Sequence, residues 1–329
     1  MSNKRMSIKV LHPGLSTSVQ DVGRYGYYDV GIPPSGALDQ YSYRVANLLV
    51  GNDEDAAVLE CTFMGPRLEF LEDAVVAVTG AEMTPKVNDE AVSDWEAFRV
   101  SEGDVLSFEY LKKGARLYIA VRGGIDVPIV LGSRSTYGLG AFGGFEGRTL
   151  QKEDVLPIGK ADTSAELRTC PDEFIPSFSN EVEVRVVMGL YDHRLTDEGR
   201  ENFLESTWQV STEADRIGYR YKSEGVALGF KEREQPFGAG SDPSNIVDAG
   251  YPIGSVQVPG GTEPIILLRD AVSGGGYAMI CTVISSDMDV VGQTQPNYKT
   301  RFKAVELDEA LEAREDYKAR LQGVREALG

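Results

Sequence analysis

Gln20, Asp21, Arg24, Ser35 and Asp39 stand in one stretch, 13–39, punctuated by Gly14, Gly23, Gly26, Gly31 and Gly36 and by Pro13, Pro33 and Pro34. Glycine and proline belong where a chain turns tightly or lets a ligand approach its backbone, and the polar side chains supply donors, acceptors and both charge signs. The combination predicts a binding loop. A second group, Ser133, Arg134, Ser135 and Thr136, sets hydroxyls around a guanidinium. Such a cluster can hold a carboxylate or phosphate by charge-assisted hydrogen bonds, or close a salt bridge inside its own loop. Asp215 beside Arg216 can orient a substrate and move a proton, or clamp a loop edge. Further along, Gln257 and the run Asp270, Gly275, Gly276 and Tyr277 complete the polar candidates.

The familiar single-chain machineries are missing from the sequence: there is no Walker A lysine motif, GxSxG elbow, HExxH pair or CxxC. Gly138, Gly140 and Gly143 satisfy GxGxxG, yet Gly143, Gly144 and Gly147 would destabilise the helix that a dinucleotide fingerprint requires, so a structural turn is the default and a backbone anion nest the alternative. Cys61, Cys170 and Cys281 lie far apart and suit small core residues in a reduced compartment. With His12 and His193 the only histidines, a histidine-rich zinc site cannot be built, and no metal-ligating residues are assigned, although carboxylate-bound magnesium remains open.

These residues need a scaffold, and short β-like runs dominate: 7–11, 75–79, 105–110, 117–122, 182–188, 265–268 and 277–284. Amphipathic helices between strands are scarce, which favours antiparallel sheets or barrels over alternating βαβ units. Three helices are expected. One spans 38–50, where Leu38, Tyr41, Val45, Leu48 and Leu49 share a face and Gly51 provides the stop. Another opens at Thr196 before Asp197 and Glu198. The third ends the chain, with Leu307, Leu311, Tyr317, Leu321, Val324 and Leu328 forming a stripe that docks on the protein's own core or on a partner. The boundary falls within 160–180, around Pro171 and Pro176, so the expected domains are 1–165 and 166–329.

A formal charge of -18 without any Lys/Arg run argues against nucleic-acid and anionic-membrane partners. Lys4 and Arg5 precede no long apolar stretch, and no window approaches the roughly 20 apolar residues of a membrane span, so a soluble cytoplasmic protein is expected.

Several blocks together carry a family resemblance: 13–26 with 31–39, Ala120 to Pro128 continuing through Gly132-Ser133-Arg134 to Gly147-Arg148, 211–220 around Asp215-Arg216, Gly254-Ser255-Val256-Gln257-Val258-Pro259, and 268–277. The chain resembles the family of 5-oxoprolinase C subunits, also called Kip antagonist, allophanate hydrolase subunit 2-like or biotin-dependent carboxyltransferase-like proteins. The resemblance implies a mainly β fold of two linked cyclophilin-like β-barrel units with a few helices. It also implies an ATP-dependent hydrolase that opens 5-oxoproline, a lactam, to glutamate with a B-type (Kip inhibitor-like) subunit and an A-type lactam-utilisation subunit, ATP being shared with or bound by those partners. Placed on that chemistry, Asp21, Asp215 and Asp270 are the candidate proton acceptors and Arg24 and Arg134 the anion contacts. Gly275 and Gly276 offer N–H groups to developing negative charge, and Gln20, Ser35, Arg216, Gln257 and Tyr277 complete the substrate-binding set.

The chain departs from the family at Ser273 and Gly274, which replace paired threonines, at Ala278, which replaces a proline, and around Pro296-Asn297-Tyr298, where Pro-Gly-Asp is usual. Substrate or partner preference is therefore expected to differ. Two other readings stay open. One is a carboxyltransferase-like subunit acting on urea or a related amide, with biotin arriving on another protein because no biotinyl Met-Lys-Met segment is present. The other is a non-catalytic antagonist of a sensor-kinase inhibitor.

Overall fold

In the computed structural model, residues 6–164 and 166–329 are described, so Lys4 and Arg5 lie outside the described residues. Two compact units are present, one comprising Met1–Arg24, Ser35–Phe178 and Lys318–Gly329, the other Tyr25–Pro34 and Ser179–Tyr317. The segments 1–165 and 166–329 correspond to them only in part, because the main crossing lies at 178 and two shorter pieces change sides.

The first unit pairs a six-stranded sheet with a five-stranded one. Apolar residues of both inner faces share one core, Ile8, Leu68 and Phe70 from the first meeting Leu59, Val76 and Ile119 from the second. Each such side chain taken fully from water contributes about 1.5–3 kcal/mol. Helix α1 (Gln40–Leu49) covers the other face of the five-stranded sheet, packing on the strands Ala74–Glu82 and Lys113–Val121. Those two strands are therefore buried on both sides, which is why they read as apolar runs rather than alternating patterns. Asp39 caps α1 by accepting from the Ser42 amide at 2.8 Å and the Ser42 hydroxyl at 2.6 Å. The approach to the cap is held by buried Glu60, whose Oε2 accepts from the Leu38 amide and from the Tyr118 hydroxyl, while that hydroxyl accepts from the Asp39 amide.

The second unit contains a closed seven-stranded barrel. In order around the barrel the strands are Glu181–Met188, Met279–Val283, Ser255–Gln257, Ile265–Leu267, Gly218–Lys222, Trp208–Ala214 and Lys299–Ala304. Closure is made by a parallel pairing of the first with the last, Glu181 opposite Lys299 through Val186 opposite Ala304. Helix α2 (Asp197–Glu205) is capped by Thr196, as its sequence predicts, and brings Phe203 to stack on Phe302 at 4.6 Å. Trp208 is fully buried, and its indole N–H donates to the Phe203 carbonyl at 2.9 Å. A separate two-stranded antiparallel sheet pairs Asn245–Gly250 with Gly274–Tyr277.

After the short α3 (Met288–Gly292), the terminal α4 (Leu307–Leu328) runs through Tyr317 in the second unit and onward in the first. Within the second unit the Tyr317 hydroxyl donates to Asp289 at 2.7 Å. Within the first, Val324 is fully buried, Arg320 donates to the Phe174 carbonyl and lies 4.6 Å over the Tyr41 ring, and Arg325 pairs with Glu54. The helix docks on its own chain, although Leu307 and Leu311 remain exposed. No helix among the described residues is long and apolar enough to cross a membrane.

Candidate functional site

The predicted site residues divide between the units: Gln20, Asp21, Arg24, Ser35 and Arg134 belong to the first, and Asp215, Arg216, Gln257, Asp270, Gly275, Gly276 and Tyr277 to the second. In the first unit they form one construction around Asp21, which follows the strand Ser16–Gln20. The loop 133–136 lies alongside that strand's end, held by the Thr136 amide donating to the Val19 carbonyl at 2.9 Å. Asp21 joins the two. Its Oδ1 accepts from the hydroxyls of Ser133 at 2.6 Å and Ser135 at 2.5 Å and from the Gly23 amide at 2.8 Å, and its Oδ2 from the Arg134 amide at 2.5 Å. Charge-assisted bonds of this kind are roughly twice as strong as neutral ones.

Gln20 is buried beneath this hub, accepting from the Gly36 amide at 3.1 Å and donating to the Thr136 carbonyl. Arg24 is also buried; it donates to the Ser135 carbonyl and its guanidinium lies 4.9 Å over the Phe142 ring. Ser35 is buried with a left-handed φ of 52°. Gly143 explains part of the glycine-rich segment, because a Cβ there would come within 2.1 Å of the Ser135 carbonyl and 2.6 Å of the Arg24 guanidinium. Gly144 leaves even less room, 1.8 Å to the Thr136 hydroxyl, and its amide donates to the Arg134 carbonyl. The GxGxxG segment is thus a turn packed onto the arginine loop, with no helix in it.

Arg134 leaves the hub differently. Its Nε donates to the Val127 carbonyl at 2.9 Å and a terminal nitrogen pairs with Asp126 at 3.2 Å, so the salt bridge inside its own loop forms; yet its side chain keeps 34% of its surface exposed. That exposed part opens on a cleft of about 550 Å³ lined also by Asp21, Asp53, Arg122, Ser133 and Lys160. Arg122, Asp53 and Lys160 were not singled out by sequence, although Arg122 stands inside the family block at 120–128. Asn52 shapes this side by donating to the Val121 carbonyl at 2.9 Å and accepting from the Gly123 amide at 2.7 Å. Arg122, Arg134 and Lys160 share this cleft with Asp21, Asp53, Asp55 and Asp162, so its lining carries both charge signs, and a carboxylate or phosphate group is accommodated on the side of the cations.

In the second unit Arg216 and Asp270 form a two-point ion pair, Nε to Oδ2 at 2.8 Å, reinforced by the Asp270 amide donating to the Arg216 carbonyl at 3.0 Å. Asp215 accepts from the amides of Ile217 at 2.7 Å and Gly218 at 3.2 Å, an Asx turn that starts the strand Gly218–Lys222. Next to Asp270, Arg269 is buried and donates to the Tyr25 hydroxyl at 2.8 Å, fastening the inserted segment Tyr25–Pro34 to its unit. Gln257 is buried in its barrel strand, opposite Ile265 and Met279. Tyr277 is partly exposed, and its backbone is gripped at both ends by the Tyr251 hydroxyl, which accepts from the Tyr277 amide at 2.8 Å and donates to its carbonyl at 2.7 Å. Gly275 lies under the Tyr251 ring, 3.0 Å from where a Cβ would stand. At the divergent Gly274 a Cβ would sit 3.1 Å from the Ala249 carbonyl, so a threonine here requires that carbonyl to shift.

The three cysteines are buried, and burial pushes their thiols up, that of Cys170 to about 11, which keeps them protonated at neutral pH. Among the described residues no group of three or more His, Cys, Asp or Glu side chains is placed to hold a metal ion.

Comparison with known proteins agrees with the motif blocks. The model of the family described as "Carboxyltransferase domain, subdomain A and B" matches residues 30–304. The C subunit of 5-oxoprolinase from Escherichia coli is 36% identical over 311 residues, covering 94% of this chain and 94% of that protein. Urea amidolyase of Saccharomyces cerevisiae is 35% identical over 308 residues, covering 90% of this chain and 16% of that protein. The chain likewise spans 18% of the Lachancea kluyveri urea amidolyase, so it corresponds to less than a fifth of these longer relatives. Among solved structures, the urea carboxylase of Kluyveromyces lactis superposes with a TM-score of 0.90 at 34% identity, over 98% of this chain and 30% of that one. The chain belongs to the family of the carboxyltransferase domain, subdomains A and B.

Proposed function

We propose that this chain acts as the C component of a multi-subunit ATP-dependent 5-oxoprolinase, working with A-type and B-type subunits to open 5-oxo-L-proline to L-glutamate. The observation that carries the reading is the 36% identity to the Escherichia coli 5-oxoprolinase component across 94% of both chains. A lactam is a poor electrophile, so its ring opens only if the amide oxygen is activated, the carboxylate held and the developing charge stabilised. The cleft beside Arg134 offers the second task a cationic side, where Arg122, Arg134 and Lys160 stand, with Asp53, Asp55 and Asp162 completing the lining. Asp21 sets the Ser133–Arg134 turn by taking up its hydroxyl and amide hydrogens, which makes it a positioning residue in this scheme. Asp215 and Asp270 are likewise engaged in internal bonds and are assigned to hold loop geometry.

ATP enters as a co-substrate whose chemistry is amide-oxygen phosphorylation. Gly143 and Gly144 of the glycine-rich turn do not fit a phosphate cradle, because they are packed against Ser135 and Thr136. Nucleotide handling is therefore assigned to the partner subunits, with no step derived for it in this chain. Purified chain mixed with candidate A and B subunits should form ADP and glutamate stoichiometrically when 5-oxoproline is added, and lose both products when this chain is omitted. A stable complex with the B-type subunit and no turnover would point instead to a different amide substrate or a binding role.

The urea carboxylase superposition supports a second reading, transfer of a carboxyl group from a carrier-borne biotin to an amide. Urea-dependent turnover that requires a biotinylated partner would select it.

A further inference from the structure

Away from the cleft, two arginines of the second unit converge on one atom. The Arg194 terminal nitrogen lies 3.4 Å and that of Arg233 3.3 Å from the same acceptor, the Asn245 carbonyl, although the two residues come from different loops. Neither forms an ion pair among the described residues, in a chain whose acidic residues exceed its basic ones by 18. Asp192, the nearest acidic neighbour of Arg194 in sequence, is engaged with Arg200 at 2.8 Å, and Glu232 and Glu234, which flank Arg233, make no ion pair with it. The Arg233 Nε is buried and bonded to nothing among the described residues.

The arrangement is held in place. Arg194 lies 4.4 Å over the Tyr191 ring, and Arg233 is braced by Gln235, which in turn donates to the Asp242 carbonyl. Lys231 adds a third cation in the same loop, donating to the His193 carbonyl at 3.1 Å. Desolvation, and secondarily repulsion from Arg233, lowers the Arg194 guanidinium below its usual value. Two neutral amide oxygens, those of Asn245 and Gln235, carry no charge to offset two guanidiniums, whereas an oxyanion can accept from both. The shared acceptor Asn245 is also the strand residue opposite Tyr277, so the pair sits at the end of the two-stranded sheet that bears the divergent Gly274 segment.

We propose that Arg194 and Arg233 form an oxyanion-binding site for a carboxylate or phosphate group of a small ligand, with Asn245 fixing the spacing of the two guanidiniums. The site stands independently of the 5-oxoprolinase reading, because binding is measured without turnover. The test is calorimetric titration of the full chain in low-chloride buffer with inorganic phosphate, with acetate and with L-5-oxoproline, followed by the same titrations on Arg194→Gln and Arg233→Gln. At least one of the three anions should bind saturably, at least tenfold more weakly in both variants, and partly restored in Arg233→Lys. A preference for phosphate identifies a phosphoryl ligand, and a preference for acetate or 5-oxoproline a carboxylate. Should Arg233→Gln lose its circular-dichroism spectrum, Arg194→Gln and Arg194→Lys decide alone. Absence of saturable binding by all three, or binding unchanged in the folded glutamine variants, overturns the proposal.

Discussion

Asp21 accepts two hydroxyls and two amides with one carboxylate, so its loss is felt in both loops it joins. Asp21→Asn keeps the shape but turns one acceptor into a donor facing other donors. Bonds to a charged group contribute about 1.5–3 kcal/mol each, and a destabilisation of about 3 kcal/mol is expected in urea unfolding, with turnover of the reconstituted complex falling alongside. The raised thiols yield a second expectation at this scale: the native protein at pH 8 should react with less than one equivalent of a disulfide reagent, and the denatured protein with three. The chemistry-bearing blocks were legible because glycine, hydroxyl and guanidinium recur together in sequence. What surrounds them was less so: Gln20 and Arg24 are buried, and their partners, Thr136 and Ser135, lie more than a hundred residues away and are brought to them only by folding. Arg194 and Arg233 carried no signal at all, since only folding brings both to Asn245.

Among the elements, α1 was the most readable, its apolar face and Gly51 stop both local, and it spans Gln40–Leu49 within the expected 38–50, opening two residues later than expected because Asp39 is its cap. Helix α4 was readable as amphipathic but not as the element that returns to the first unit, because Glu54, the residue that receives Arg325, is chosen by tertiary structure. Arg325, and secondarily Arg44, hold the Glu54 carboxyl below its ordinary value of 4.5 despite partial burial. A carboxylate with a lowered folded value contributes stability that is present above the unfolded value and lost as pH falls through the folded one. Amide protection factors in 318–329, which normalise for the intrinsic pH dependence of exchange, should therefore fall below about pH 4.5 relative to neutral pH. Glu54→Gln should show the lower protection at both, and pH-independent protection in the wild type would contradict the pairing's role.

At the scale of the whole molecule the chain passes between units at 24/25, 34/35, 178/179 and 317/318. No compositional shift marks the first two, so sequence reading placed all of 1–165 in one domain. The consequence is testable with a fragment of residues 179–317, which lacks the Tyr25 hydroxyl that receives Arg269. It should unfold at a lower urea midpoint than the same region in the full chain, and added peptide 25–34 should raise that midpoint. A net charge of -18 also predicts a melting temperature that rises between 0.05 and 0.5 M salt as self-repulsion is screened.

The parallel closure of the barrel has a meaning in time as well as in space. Glu181–Met188 is made early in its unit and Lys299–Ala304 last, about 110 residues later. At a synthesis rate of roughly 5–20 residues per second, the leading strand waits on the order of 6–20 s on the ribosome, with both edges unpaired until Met279–Val283 is made and the parallel edge open to the end. During that interval the nascent chain presents a template for wrong pairing, so its yield in cells should depend on translation speed and on chaperones that occupy open strand edges.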